Sequence, residues 1–436
     1  MRRTCWIFVS VLILAFSSLA FGEVKPSADA DRTKIPADYK WSLNSLFPNA
    51  DEWEKAFAGV KGDIGGIGMC KGKLGASAKE TLQCLDNIYE IKRRFDELSA
   101  FAFQWWSVLM SDNKRQQLRE KATGLAAVLS EATAFVDPEL MKIPLARWDE
   151  MAKEEKGLAA YNFHFKDLKR REKHLLDAEQ EALLALTMPM REGPYFIMQA
   201  MTQDMVFPKI KDEAGNEVEL NYASFSKYRG SKDRRVRKDA VNAFFSTLHH
   251  YRNTLGTSLA TSVKGAMFEA KARGYSSSLE MSLDADNVPV SVYENLLATT
   301  AENLPRTLHR YVALRKKILG LDEIHYYDMY NPLFPKMAKE YGYDEGLKLI
   351  EESLKPMGGD YAAVLMAGAK PGSGWADVYP NKGKKGGAYC NAAYGTHPFV
   401  FLNYMNELDD VFTTAHEFGH ALPCYLSTQS PPHPTA

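Results

Sequence analysis

The chain has 436 residues, 45% hydrophobic and 25% charged, which excludes a disordered or fibrous class and leaves room for a sizeable globular core. A formal charge of −1 gives no ground for a polyanionic or anionic-membrane partner. Two basic runs, residues 166–173 and 227–240, are interleaved with acids and apolar residues at helical spacing, so they read as solvated helix faces rather than nucleic-acid contacts.

The chain begins "MRRTCWIFVSVLILAFSSLAFG", with two arginines, an apolar run and small residues at Ala20 and Gly22. That layout predicts a signal peptide over residues 1–22, cleaved after Gly22, in preference to an uncleaved membrane anchor. Cys5 lies in the charged segment, away from the cleavage point, which argues against a lipid-anchored form. The mature protein is therefore expected to be exported, periplasmic or secreted, with no stable membrane association. Residues 23–40 are polar, contain two prolines and read as an extended leader. Of the remaining cysteines, Cys70 and Cys84 close a short loop and permit a disulfide. Four cysteines in so long a chain make no disulfide framework, and scattered small buried residues are the expectation.

From Trp41 onward apolar residues recur every three or four positions, predicting helices, for example through "AKETLQCLDNIYEIKRRFDELSAFAFQWWSVLM". Near residue 205 the texture changes: "MVFPKIKDEAGNEVEL" alternates about an Ala-Gly-Asn turn and predicts a small hairpin, which marks the boundary between two units. A second run of helices leads to "GGAYCNAAYGTHPFVFLNY", whose aromatic and β-branched residues broken by glycine predict strands and a mobile loop. "NKGKKGG" lacks the Gly-Lys-Ser/Thr order of a phosphate loop and is not read as one.

"NELDDVFTTAHEFGHAL" carries the chemistry. Asn406 is the candidate N-cap, with Glu407, Asp409 and Asp410 in the first turn and an apolar stripe of Val411, Phe412, Ala415, Gly419 and Leu422. His416 and His420, four apart on that helix, project from one face, where both imidazoles can reach a single Zn²⁺ at roughly 2.0–2.1 Å. Glu417 is rotated by about 100° from His416, so it sits beside such an ion rather than on it, placed to take a proton from an attacking water.

A catalytic zinc takes a third protein ligand. A metzincin continuation needs glycine at 423 and histidine at 426, where this chain has Pro423 and Leu426. His433 lies in a proline-rich stretch without helical support. Cys424 follows His420 by one turn, but Pro423 intervenes and removes the bond to the Gly419 carbonyl. No glutamate follows Glu417, so these residues offer no third ligand.

At this point the sequence resembles the oligoendopeptidase F family of thimet-type zinc metallopeptidases. The likeness runs in order through "YNFHFKDLKRREKHLLDAEQEALLAL", "YRGSKDRRVRKDAVNAFF", "EAKARGYSSSLEMSL", "HRYVALRKKILGLDEIHYYDMYNPL", "GWADVYPNKGKKGGAYC" and "HPFVFLNYMNELDDVFTTAHEFGHAL". The resemblance implies a mainly α, multi-helix peptidase enclosing a channel, with a small β-sheet beside the zinc helix and oligopeptides as substrates. It divides the chain into a helical domain over 23–205 and a zinc peptidase catalytic domain over 206–436. It makes His416 and His420 the metal ligands and Glu417 the general base, and lets the substrate backbone lie along "GGAYCNAAYGTHPF" as an added strand. His397 in that segment is read as structural.

Two departures from the family stand out: Pro423 within a turn of the site, and a third ligand, a glutamate, expected beyond the last residue. The chain is therefore expected to stop inside its catalytic domain, to expose apolar helix faces, and alone to have low stability and little or no activity. The competing readings are a peptide-binding protein without catalysis or an inactive fragment, and a helical scaffold. A binder has no physical use for a water-activating glutamate between two metal ligands, and a scaffold leaves the glycine-rich strand and the histidine helix unexplained.

Overall fold

The computed structural model describes residues 25–28, 30–334 and 339–428. The signal expected over residues 1–22 and His433 lie outside them. The architecture is mainly α, as expected. The chain runs first through α1 (Ala50–Ile64), α2 (Ala78–Ser107), α3 (Asn113–Thr133), α4 (Val136–Met141), α5 (Leu145–Glu154), α6 (Asn162–Arg170), α7 (Ala178–Leu186) and α8 (Met188–Asp204). The hairpin of β1 (Ile210–Lys211) and β2 (Glu217–Val218) follows, with Ile210 opposite Val218. Then come α9 (Tyr222–Arg229), α10 (Arg234–His250), α11 (Arg252–Ala272), α12 (Ser278–Asp284), α13 (Val290–Asn303) and α14 (Leu308–Ile318). The last part holds α15 (Tyr343–Ser353), α16 (Gly359–Ala369), β3 (Ala376–Asp377), β4 (Tyr389–Asn391), β5 (Phe399–Phe401) and α17 (Leu408–Ser427). No helix among the described residues is long and apolar enough to cross a membrane.

Helix α2 shows how local chemistry sets these elements. The Ser77 hydroxyl accepts from the Glu80 backbone N–H at 3.2 Å and donates to the Glu80 carboxylate at 3.0 Å, closing its first turn. Its apolar positions Leu85, Ile88, Ile91, Leu98 and Phe101 are buried in a core with Trp53, Trp148 and Phe165. A second core gathers Tyr343, Leu347, Val378, Tyr404, Phe418 and Leu422. A third, smaller one surrounds the hairpin with Phe207, Phe225, Val236 and Phe244.

Strand β5 joins the first two cores. It lies between β3, to which it is parallel, and β4, to which it is antiparallel. Successive side chains point to opposite faces. Phe399 and Phe401 enter the first core, where both meet the Trp41 ring at 6.3 and 5.7 Å, while Val400 enters the second. All three residues are fully buried.

Three sequence expectations need correction. Cys70 and Cys84 are not scattered thiols but a disulfide, their Cα atoms 5.6 Å apart, whereas Cys390 and Cys424 are unbridged. The segment expected as an extended leader contains 3-10 turns at Arg32–Lys34 and Ala37–Tyr39 and is laid against the last part of the chain. Ala30 and Tyr39 carbonyls accept from Lys382 and Val378 N–H groups at 2.9 and 3.0 Å, and Ser42 N–H donates to the Gly374 carbonyl at 2.8 Å. Gly374 sits at φ +81°, and a Cβ there would come within 3.1 Å of the Ser42 side chain, so only glycine permits that approach. The Arg32 guanidinium bonds Asp377 and Asn381.

The basic runs, finally, are not simply solvated faces. Arg170 is paired with Asp167 and Asp284. Arg237 is 3% exposed and, with Arg234, grips the fully buried Asp328 at 2.9 Å each. Burial alone would raise the Asp328 carboxyl, but the hydrogen bonds from Arg234, Arg237 and the His325 N–H outweigh it and hold it at about 2.

Apolar side chains on α11, α13 and α14 face outward, among them Leu259, Val263, Leu296, Leu297, Tyr311 and Leu314. Helix α13 buries no residue.

Two stability predictions follow from these contacts. Phe401→Ala removes a ring from the strand that joins both cores and is expected to cost about 3–5 kcal/mol in denaturant unfolding. Asp328→Asn leaves two guanidinium groups without their counter-charge, one of them buried, and is expected to cost about 3–5 kcal/mol near neutral pH. Because the folded Asp328 carboxyl lies near 2 and an unfolded one near about 4, its contribution is present above pH 4 and disappears as pH falls toward 2. The parent and the variant should therefore converge in stability across that acid window.

Candidate metal centre

Helix α17 starts one residue later than the sequence suggested. Asn406 adopts φ +65°, a left-handed conformation that asparagine tolerates, and its side-chain oxygen caps nothing. Glu407 is the N-cap instead, and the Asp410 carboxylate reaches back to accept from the N–H groups of Met405 and Glu407, both at 2.8 Å. Burial first, then the neighbouring acids, raises the Glu407 carboxyl; burial likewise raises Asp410 despite those two bonds. The helix runs through Pro423 to Ser427.

The buried stripe is rotated from the expected one. Val411, Thr414, Phe418, Ala421 and Leu422 face the second core, whereas Phe412 is 67% exposed. This phase decides where the chemistry points. His416 and His420 fall on the exposed side. Their rings meet edge to face with centroids 4.7 Å apart, and their Nε2 atoms lie 3.1 Å from each other. Two nitrogens bound to one tetrahedral zinc at about 2.0–2.1 Å would be about 3.3 Å apart, so the pair fits two ligands of such an ion. Gly419 between them has no heavy atom within 4 Å of where a Cβ would stand, which leaves that face clear.

Glu417 is 8% exposed, turned by about 100° from His416 toward the buried side of the helix. It faces strand β4, where its charge acts on the Cys390 thiol. Among the described residues no group of three His, Cys, Asp or Glu side chains is placed to hold a metal. The structure thus brings the two imidazoles together and leaves Glu417 buried on the same helix, with no third ligand beside the pair among the described residues.

The sheet lies directly beside this helix, with β4 at its edge. A cavity of about 230 Å³ opens where the two meet, lined by Gly387, Ala388, Asn403, Tyr404, Asp410 and Thr413. His397 is held in the sheet's own packing: its ring lies parallel to Trp375 at 5.8 Å, its Nε2 is 3.3 Å from the Ser45 hydroxyl, and burial lowers its pKa. Trp375 in turn meets Tyr425 near the end of α17 at 5.4 Å. Cys390 is the neighbour that sequence reading missed. A spacing of seven puts Glu417 and Cys424 on one helix face, a signal that points to Cys424 but says nothing of the strand that faces it.

Known proteins resemble this chain over most of its length. Residues 228–435 match the description "Peptidase family M3", and residues 139–207 match "Oligopeptidase F". Over 404 residues the chain is 32% identical to the group B oligopeptidase PepB of Streptococcus agalactiae, covering 92% of this chain and 67% of that protein. The chain belongs to peptidase family M3, among the oligoendopeptidases F. It is also 34% identical over 413 residues to oligopeptidase PepF of Bacillus subtilis, an alignment covering 94% of this chain and 61% of the Bacillus protein. The crystal structure of oligoendopeptidase-F from Enterococcus faecium superposes with a TM-score of 0.66 at 30% identity, covering 73% of this chain and 60% of that one. The M3 chain described here thus spans about three fifths of the length of the Bacillus relative.

If the imidazole pair is a metal-binding unit, His416→Ala and His420→Ala should each lower zinc affinity by at least about tenfold in calorimetric titration. Glu417→Gln, which leaves both imidazoles, should keep the parent affinity within about threefold.

Proposed function

We propose that this chain carries the metal-binding helix and substrate strand of a zinc-dependent endopeptidase acting on oligopeptides. The observation that supports it most is the convergence of the His416 and His420 Nε2 atoms at 3.1 Å on an open helix face, with the buried Glu417 carboxylate between them in sequence. His416 and His420 would hold the ion. Zinc, when bound there, supplies Lewis acidity toward a peptide carbonyl and acidifies water. Glu417 takes the proton of the attacking water on a carboxylate oxygen and returns it to the departing amine nitrogen. Burial keeps that carboxylate in one rotamer beside β4, whose outer edge offers unpaired N–H and C=O groups to an extended peptide. Backbone pairing of this kind makes few demands on side chains and suits substrates of varied sequence.

On this reading residues 23–205 form a helical domain and 206–436 the catalytic domain. The third ligand, a carboxylate, and the donors that steady the oxyanion lie outside the described residues. Residues 1–22 act as an export signal, a view supported by the Cys70–Cys84 disulfide, since such bonds persist in oxidising compartments.

The test is cleavage of an internally quenched oligopeptide, with and without a zinc chelator. The 436-residue chain alone is expected to cleave little or nothing. Extended to the length of its relatives, it should cleave in a chelator-sensitive way, and Glu417→Gln should lower kcat by about 10²–10⁴-fold. An extended chain that binds the peptide without cleaving it would favour the non-catalytic binding reading, for which the two-ligand set among the described residues is the supporting observation. Fast, chelator-sensitive cleavage by the 436-residue chain would overturn the assignment of essential groups to further residues.

A further inference from the structure

Cys390 and Cys424 face each other across the seam between the sheet and the histidine helix. Cys390 is opposite Val400 in the β4–β5 ladder, and cross-strand partners share a face. That face packs on Phe418, Ala421 and Leu422 of α17. Helix α17 and β4 are packed directly together, with Cα atoms of the two elements within 8 Å of each other. The two thiols interact side chain to side chain, both are half-buried, and neither is bridged. Elsewhere in the same chain Cys70 and Cys84 are already joined.

We infer that Cys390 and Cys424 form a reversible disulfide, driven by a small-molecule disulfide of the glutathione class, that fastens strand β4 to helix α17. In the first step the Cys424 sulfur attacks the small disulfide, forming a mixed disulfide and releasing one thiol. In the second, the Cys390 sulfur displaces the remaining small thiolate, which leaves with the Cys390 proton. Two protein thiols are oxidised to one disulfide, and one small disulfide is reduced to two thiols. Burial, then the nearby Cys424 and Glu417, pushes the Cys390 thiol up to about 12, which disfavours Cys390 as the sulfur that makes the first attack.

The bridge ties the carboxylate-bearing helix to the edge strand. Its significance for catalysis rests on the proposed reading of Glu417 and β4, but its existence does not.

The chain is incubated with oxidised glutathione, free thiols are blocked by alkylation, and unreduced peptides are mapped by mass spectrometry. The expected product is a linked peptide pair containing Cys390 and Cys424, two hydrogens lighter than its separate parts. Alkylation of both cysteines while Cys70–Cys84 stays bridged overturns the inference, as does glutathione held on either cysteine without the cross-link. Amide hydrogen exchange reads the coupling without any need for activity. At Tyr389–Asn391 and in the second half of α17, exchange should slow by at least about tenfold on oxidation and recover on reduction. Cys424→Ser, shown to be folded by an unchanged circular dichroism spectrum, should lose that response. A mapped bridge without a change in exchange overturns the fastening of strand to helix. Absence of peptide cleavage by the chain extended to the length of its relatives, in either redox state, counts against the peptidase reading alone.

Discussion

Three residues, Phe399, Val400 and Phe401, hold the positions of everything else near the histidine pair. The strand is buried on both faces, and its two-residue period sends the phenylalanines into one core and the valine into the other. A one-residue slip would exchange them and empty both cores together. Register is therefore fixed by packing on two sides at once, and β5 transmits it to β4 through the Tyr389–Phe401 pair, whose rings stack at 4.7 Å. Helix α17 then rests on that sheet through Phe418 and Leu422, so the direction of His416 and His420 is set by a strand they never touch.

Charge does the fastening that apolar packing leaves undone. Asp377 on β3 is fully buried between Lys384 and Arg32, and those two cations keep it ionised against its own burial. Lys384 bonds Asp377 at 2.8 Å and also donates to the Tyr379 and Leu402 carbonyls at 2.7 and 2.6 Å, although burial pulls its pKa down to about 8. The arrangement gives a buried ammonium the donors' partners it needs, which is what makes such a charge tolerable in a low dielectric. Because Arg32 comes from the segment before the first helix, the same cluster holds the start of the described chain against its last sheet. Asp328 plays an equivalent part for α10 and the turn before it. Both clusters join residues far apart in sequence, and both use charges that composition alone would place on the surface.

This explains what was legible in the sequence. The histidine helix was readable because its information is local: a spacing of four, a small residue between, acids in the first turn. The hairpin at Ala-Gly-Asn and the strands around Cys390 and Phe399 carry their own turn and alternation signals. The phase of the stripe on α17 was misjudged because Phe412 scores as apolar wherever it sits, and only the position of the sheet decides that Thr414 goes in and Phe412 out. The cap moved from Asn406 to Glu407 because Asn406 spends its tolerance of positive φ on a turn. Strand β3, two residues long and parallel to a strand more than twenty residues away, has no local signature, since parallel pairing is decided by the crossover rather than by composition. The basic runs were misread for the converse reason: helical spacing shows which charges share a face, but the carboxylates that draw Arg170, Arg234 and Arg237 inward lie on other elements.

The division of labour on α17 follows from helix geometry once the sheet has fixed its rotation. Residues four apart share a direction, and the residue after the first of them is turned by about 100°, so an open imidazole pair forces Glu417 toward the seam with β4. The two environments suit different tasks. Imidazoles that receive a cation need access and freedom from competing protein contacts, and Gly419 and the exposed face give both. A carboxylate that is to move one proton repeatedly needs a fixed direction, which burial supplies and solvent does not. The same burial places Glu417 against Cys390, so the strand that would receive a peptide and the group that would deprotonate water share one wall. Any movement of β4 relative to α17 changes the surroundings of that carboxylate while leaving the spacing of the imidazoles, set within a single helical turn, as it was. On the proposed reading, metal binding and proton transfer would be exposed to different parts of the fold, although the residues concerned are adjacent in the chain.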